Sequence, residues 1–494
     1  MVVDLPCEPL RPGVGATGRR LRWASAIALG GWAACLPDPV FECRDDAECS
    51  DLGDGARCEA VGFCSQPDAS CDSNRRFHEF AGGALANACT DLACGDGTLS
   101  VDEQCDDGND VDGDGCNRDC RSSGQEIWTQ TYASPGFVED RAYSLAIDSL
   151  GNVAVIGHIT VEGQGANLWI RNFSSAGDTR WTWVLDGSAN SDEEGWAILV
   201  DANDDFIVAG YIATLDEGDN AWLGKLGADG LLVWQADYDG GIAAVDQARS
   251  LAFAPNGDLL ALGYATAEPT TDTELWFQRR SGDGQSVRWT QLRAGLPGGM
   301  PDRGHSVIAV EDDFIGVGYK QAQDGRQYAW LNRFDGQGND LWSEELPIDG
   351  RQGVWTTISA ANNGDLLLAG WREAAQGDTD IWLQRRDSAG ALLWEEIVAS
   401  PSGADDRGNI LTPAPDGGFV VGGELGAGAG STDAWIRRYS PDNTEVWSDS
   451  ISGPAGDRDT IWGLGFAPDG NLMACGYISS PETSWDIWVR KYTP

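Results

Sequence analysis

From residue 123 to the end, apolar and polar positions alternate in short runs separated by glycine- and aspartate-rich turns. In the first complete unit Asp140 to Ile147 alternates, Leu150-Gly151-Asn152 supplies a tight turn, and Val153 to Ile159 is a second short run. Leu168 to Phe173 follows, then a small Gly/Asp turn, then Arg180 to Leu185. Short runs with a period of two, bounded by turn residues, predict four antiparallel strands, and no sustained helical period appears.

The unit then recurs. One tryptophan series runs Trp169, Trp222, Trp276, Trp330, Trp382, Trp435, Trp488, at steps of 52 to 54 residues. A second runs Trp128, Trp181, Trp234, Trp289, Trp342, Trp394, Trp447. Gly157, Gly210, Gly263, Gly318, Gly370, Gly423 and Gly476 each end an apolar run in the same phase. Three series in register define seven units, and four-stranded repeats of this length are the sheets of a β-propeller, each burying both faces against its neighbours. The repeat opens on a fourth-strand sequence at 126–132 and ends on a third-strand sequence, Asp486 to Tyr492. Pairing them would close the ring and leave few bare edges. The expected fold is all-β: a seven-bladed β-propeller over 123–494, preceded by a disulfide-rich, loop-rich region at 35–122. Burying a tryptophan removes roughly 150–250 Å² from water, so both series are expected in the core.

Two stretches carry family resemblances within the repeats. Asp302-Arg303-Gly304, Gly318, Trp330 and Trp342, and again Asp406-Arg407-Gly408, Gly422-Gly423, Trp435 and Trp447, resemble kelch repeats. Asp387-Ser388-Ala389-Gly390 before Trp394, and Asp335-Gly336-Gln337-Gly338 before Trp342, resemble the tryptophan-docking motif of quinoprotein-type propellers. Both resemblances imply architecture alone, because such folds host enzymes, scaffolds and binding proteins alike.

The N-terminal quarter differs in kind. Arg19, Arg20 and Arg22 precede an apolar run from Trp23 to Ala34, too short to span a bilayer, so 1–34 reads as an export signal whose first 18 or so residues lie ahead of the usual start. Gly31-Trp32-Ala33-Ala34-Cys35 resembles a bacterial lipobox, with Trp32 where that family usually has Leu. The resemblance implies lipidation of Cys35; the alternative is plain secretion with Cys35 in a disulfide. Twelve of the 13 cysteines precede residue 121. Cys43, Cys49, Cys58, Cys64, Cys71, Cys89, Cys94, Cys105, Cys116 and Cys120 form an even set in a stretch too poor in large apolar residues for an ordinary core, which predicts disulfides and an oxidising compartment. Spacing leaves their connectivity open. Cys94-Gly-Asp-Gly, then Cys105-Asp-Asp-Gly-Asn, Cys116 and Cys120 resemble the cysteine-rich repeat of myxobacterial surface proteins, which implies a place outside the cell. Within it Asp110, Asp112 and Asp114 alternate as in a calcium loop, so Ca2+ is the one cofactor considered. Arg121 stands where an EF-hand would place its bidentate glutamate, and a plain Asp/Gly turn is the competing reading.

Charge narrows the partners. With 33 basic and 78 acidic residues the formal charge is −45, which repels nucleic acid and anionic lipid headgroups, leaving a lipid anchor as the only membrane link. Three histidines, His78, His158 and His305, are too scattered for zinc, and no nucleophile elbow or phosphate-binding glycine loop occurs. At the start of each first strand sit Asp140-Arg141, Glu193-Glu194, Asp246-Gln247, Asp302-Arg303, Arg351-Gln352, Asp406-Arg407 and Asp457-Arg458. First strands line a propeller's channel, so Asp140, Arg141, Asp302, Arg303, His305, Asp406, Arg407, Asp457 and Arg458 are the ligand-binding candidates at its mouth. The competing reading is a girdle in which each arginine bridges to a carboxylate of the next unit. The chain is expected to be an exported, monomeric surface protein at the outer membrane, or secreted, recognising a protein or glycan. The alternatives are a carboxylate enzyme acting on polysaccharide and, resembling outer-membrane assembly lipoproteins, an internal scaffold.

Overall fold

A computed structural model of the chain describes residues 103–494 apart from short loop segments, and stretches between 43 and 95. Residues 1–34, expected to be an export signal, and Cys35, Cys89 and Cys94 lie outside the described residues. Two compact units divide the chain, 1–91 and 92–494. In the first, a single turn of helix at Asp46–Cys49 precedes a three-stranded sheet of Arg57–Cys58, Cys64–Pro67 and Arg75–Phe77. Disulfides Cys43–Cys58 and Cys49–Cys64 form its centre, and Cys71 is also bonded. Covalent links stand in for a core there. Among the described residues no helix is long and apolar enough to cross a membrane.

The second unit begins with the Cys105–Cys116 disulfide and continues into the repeats. Just past the cysteine-rich repeat the chain is tied to its own end: Gly124 N–H donates to Pro494 O, and Thr493 Oγ1 donates to Ser122 O. Beyond it lie seven antiparallel sheets, numbered 1 to 7 along the chain, with strands a to d from the inside outward. Sheet 1 comprises Arg141–Ile147, Val153–Val161, Gly165–Phe173 and Thr179–Leu185. Strand a of sheets 2 to 7 starts at Glu194, Gln247, Arg303, Gly353, Arg407 and Thr460. Sheet 7 takes its d strand from Glu126–Tyr132, which pairs antiparallel with Ser484–Tyr492, as the two incomplete ends predict.

Seven separate hydrophobic layers lie between successive sheets, and one joins sheet 7 to sheet 1. The all-β, propeller-like ring is therefore closed. In each layer the c-strand tryptophan of one sheet faces the sheet before it, and all seven of that series are fully buried. The d-strand series is different. Its indoles are half-buried, and those of Trp128, Trp181, Trp234, Trp289 and Trp342 lie over the c–d turn of the following sheet, since outer strands are wide apart and partly wet. Trp128, Trp181 and Trp289 donate their indole N–H to Ser175 O, Ala228 O and Gly336 O of those turns. Glycines in the turns make room: a Cβ at Gly230 would lie 2.7 Å from Trp181, and at Gly177 3.0 Å from Trp128. The same docking crosses the ring closure, where Trp447 lies against Gly124.

The glycine series has its own cause. At each of these glycines the a strand carries a β-bulge, as between Ala142 and Ser144 opposite Gly157. The bulged strand approaches so closely that a Cβ at Gly157 would sit 1.9 Å from the Arg141 carbonyl oxygen. An extra residue in one strand re-aims its side chain. Here it turns seven side chains, one per sheet, to the axis.

Candidate binding site

The acidic residue just ahead of strand a proves to be a latch. Asp140 donates its backbone N–H to Trp485 O of the preceding sheet, while its carboxylate accepts from Ser134 N–H in the incoming loop and Thr160 N–H at the end of its own b strand. Asp246 repeats this with Asp219 O, Gly240 and Thr266; Asp406 with Thr379 O, Ser400 and Gly426; Asp459 with Thr432 O, Gly453 and Ser479. Asp302 donates to Thr273 O and accepts from Gln321. Glu193 donates to Ala166 O and accepts from Ala213. Asp140, Asp302 and Asp406 are thus 1–2 % exposed and hold loops rather than a ligand. In sheet 7 the latch is Asp459; Asp457 is exposed, two residues out of phase with the series. Sheet 5 has Gly353 at this place; there Glu373 N–H donates to Gln352 O and Gln352 N–H donates to the Glu373 carboxylate instead. Burial drives these carboxyls upward in pKa, against the pull of their N–H donors: to about 6 for Asp246 and Asp302 and about 7 for Glu193.

The arginines divide. Arg141 pairs with Glu139 at 2.7 Å and lies over Trp485 and Tyr477 of sheet 7; Arg303 lies over Tyr264 of sheet 3. Cation–π contact with the preceding sheet replaces much of the expected carboxylate girdle. Only Arg458 makes the full bridge, gripping Glu424 of sheet 6 through two bonds of 2.7 Å. Arg407 stands 3.9 Å from the same carboxylate.

Arg407, Glu424 and Arg458 line a cavity of about 590 Å³ among the loops of sheets 5, 6 and 7, on the face bearing the b–c and d–a connections. Asp378 and Asp405 complete its polar wall. Asp405 accepts from both the backbone N–H and the hydroxyl of Thr379. Arg407 Nε and Asp378 Oδ1 are buried there without hydrogen-bond partners.

The channel is lined instead by the bulge residues Tyr143, Trp196, Arg249, His305, Thr356, Asn409 and Trp462 and their neighbours, around about 210 Å³. Of the sequence candidates only His305 belongs to it. Its Nδ1 lies 3.1 Å from Trp355 O, and burial together with Arg249 pushes its pKa down to about 3, so the ring is neutral. His158, enclosed beside Glu194 at 3.4 Å, is held down at about 3 for the same first reason, while burial lifts Glu194 to about 7. Spacing from the glycine series would have found the channel ring: each bulge residue precedes its glycine by 13 or 14 positions.

The calcium candidates separate. Asp112 pairs with Arg118 at 2.6 Å, and Asp114 accepts from Asn109 and has its pKa raised by burial and by Asp107. Asp110 and Asp112 face a cavity of about 710 Å³ against the turns at Asp416 and Asp469. Among the described residues no three carboxylates converge as ligands; the one grouping of three potential ligands is Cys43, Cys49 and Cys58, and these are in disulfides.

Residues 84–121 match the model of a domain of unknown function, DUF4215. No curated protein matches the chain. Among solved structures, a Dyadobacter fermentans protein of unknown function is 11% identical over 75% of this chain and 99% of its own, with a TM-score of 0.43. A quinohemoprotein alcohol dehydrogenase from Pseudomonas putida is 10% identical over 75% and 78%, at 0.39. Sqt1 of Chaetomium thermophilum, solved with the N-terminus of ribosomal protein L10, is 13% identical over 72% and 85%, at 0.41. The part of this chain that a named family model matches is its cysteine-rich segment at 84–121, which resembles DUF4215 and precedes a propeller-like ring in the sequence.

Proposed function

We propose that the chain is an exported, lipid-anchored surface protein whose ring recognises a protein or glycan at the loop-face cavity of sheets 5 to 7. One observation carries the reading. Arg458 fixes Glu424, and beside that pair a donor, Arg407 Nε, 3.9 Å from Glu424, and an acceptor, Asp378 Oδ1, are held buried without a hydrogen bond. An unmatched buried polar group costs about 1–3 kcal/mol, and a ligand offering hydroxyl or amide groups would relieve it. The disulfides of the first unit support passage through an oxidising compartment. Loop-borne sites on a rigid scaffold are the usual place for recognition.

The test is a glycan and protein array probed with the secreted form, alongside protease shaving of whole cells. Binding without turnover is expected, with Arg407→Ala lowering affinity about tenfold or more. Hydrolysis of a bound glycan, or a protein left intact on shaved cells, would overturn the reading.

A further inference from the structure

The channel differs chemically from the rest of the molecule. In a chain with 78 acidic residues, its lining contains a guanidinium and no carboxylate. Glu194, two residues from Trp196 on the same strand, lies against His158 and within electrostatic reach of Arg249, but is not part of the lining. Two donors there lack acceptors, Trp196 Nε1 and Arg249 Nε, whereas the Trp462 side chain is hydrogen-bonded to Tyr477. Arg249 has one hydrogen bond, to Tyr264 Oη at 3.0 Å.

From this we infer that the channel is a second binding site, which takes a small organic carboxylate with an apolar body, Arg249 being its charge partner. A cationic ligand is disfavoured although the walls are aromatic. Tyr143 stacks on Trp196 at 3.9 Å between ring centroids, and the Arg249 guanidinium lies 3.5 Å from the centroid of the Trp196 ring. The π face that would attract a cation already holds one. What remains unmatched is the pair of N–H donors, and these suit an anion. At about 210 Å³ the space is below that of a drug-sized ligand. It shares no lining residue with the loop-face cavity, so either site can fail without the other.

Calorimetry on the whole secreted protein with benzoate, benzamide and benzylamine tests this. Benzoate is expected to bind one to one, with benzamide and benzylamine weaker by about tenfold or more, and Arg249→Gln should lower benzoate affinity by a similar factor. Should Arg249→Gln fail to fold, Trp196→Phe keeps an aromatic ring, removes one donor and is expected to weaken benzoate about threefold or more. A crystal soaked in 4-bromobenzoate should show bromine among the bulge residues. No binding of benzoate, equal binding of benzamide or benzylamine, unchanged affinity in the substituted proteins, or bromine on the loop face would each overturn the proposal.

Discussion

Trp382 stacks on Trp355 with ring centroids 3.8 Å apart and donates its indole N–H to Glu395 at 2.7 Å. Trp382→Ala should therefore cost about 3–5 kcal/mol in a denaturant titration, and a loss under about 1 kcal/mol would mean the ring is not packed this way. The latches give a paired test. Asp459→Ala strands the N–H groups of Gly453 and Ser479, each worth about 1–3 kcal/mol when buried, whereas the exposed Asp457→Ala should stay within about 0.5 kcal/mol. At this scale the sequence was half legible. Buried tryptophans repeat because every sheet needs the same large wedge. The latch at Asp459 was hidden by Asp457-Arg458, a local copy of the Asp-Arg pair two residues early, so dipeptide likeness outvoted spacing.

Strands and turns were easier to read than what they aim. The d strand at 126–132 was predicted with the bounds it has, because alternation and turn residues are local. The bulges were not, since one extra residue in a strand breaks the alternation without leaving a compositional mark. Their only trace is the glycine opposite. The docking of d-strand indoles on the next sheet's turn can be isolated by two substitutions. Gly230 (φ +81°) and Gly163 (φ +82°) share a left-handed backbone, but a Cβ at Gly230 would meet Trp181 while Gly163 has nothing within 4 Å. Gly163→Ala should cost about 1–2 kcal/mol from backbone strain alone. Gly230→Ala should cost clearly more, and equal losses in thermal melts would remove the docking contact as a stabilising element.

For the molecule as a whole, acidity and burial pull the same way. Glu193, Glu194, Asp246 and Asp302 have pKa values raised by burial to about 6–7, so the folded state holds protons that the unfolded chain releases near pH 4. Their stabilisation is full below about pH 4 and is lost as pH rises through about 6–7. His158 and His305, lowered to about 3, act oppositely: the unfolded state gains protons below about pH 6.5, and stability falls from there towards pH 3. The acids are more numerous, and titrating a chain of charge −45 towards neutrality relieves repulsion. The denaturation midpoint should be higher at pH 5.5 than at pH 8 and drop again below pH 4; a maximum at pH 8 would contradict the buried acids. The closing sheet has a mechanical consequence too. Residue 126 lies opposite Tyr492, at the end of sheet 7 away from the loop-face cavity. A tension applied through the preceding segment, with the ring held from that cavity, pulls Glu126–Tyr132 lengthwise along its partner, so its backbone bonds share the load in shear instead of peeling one at a time.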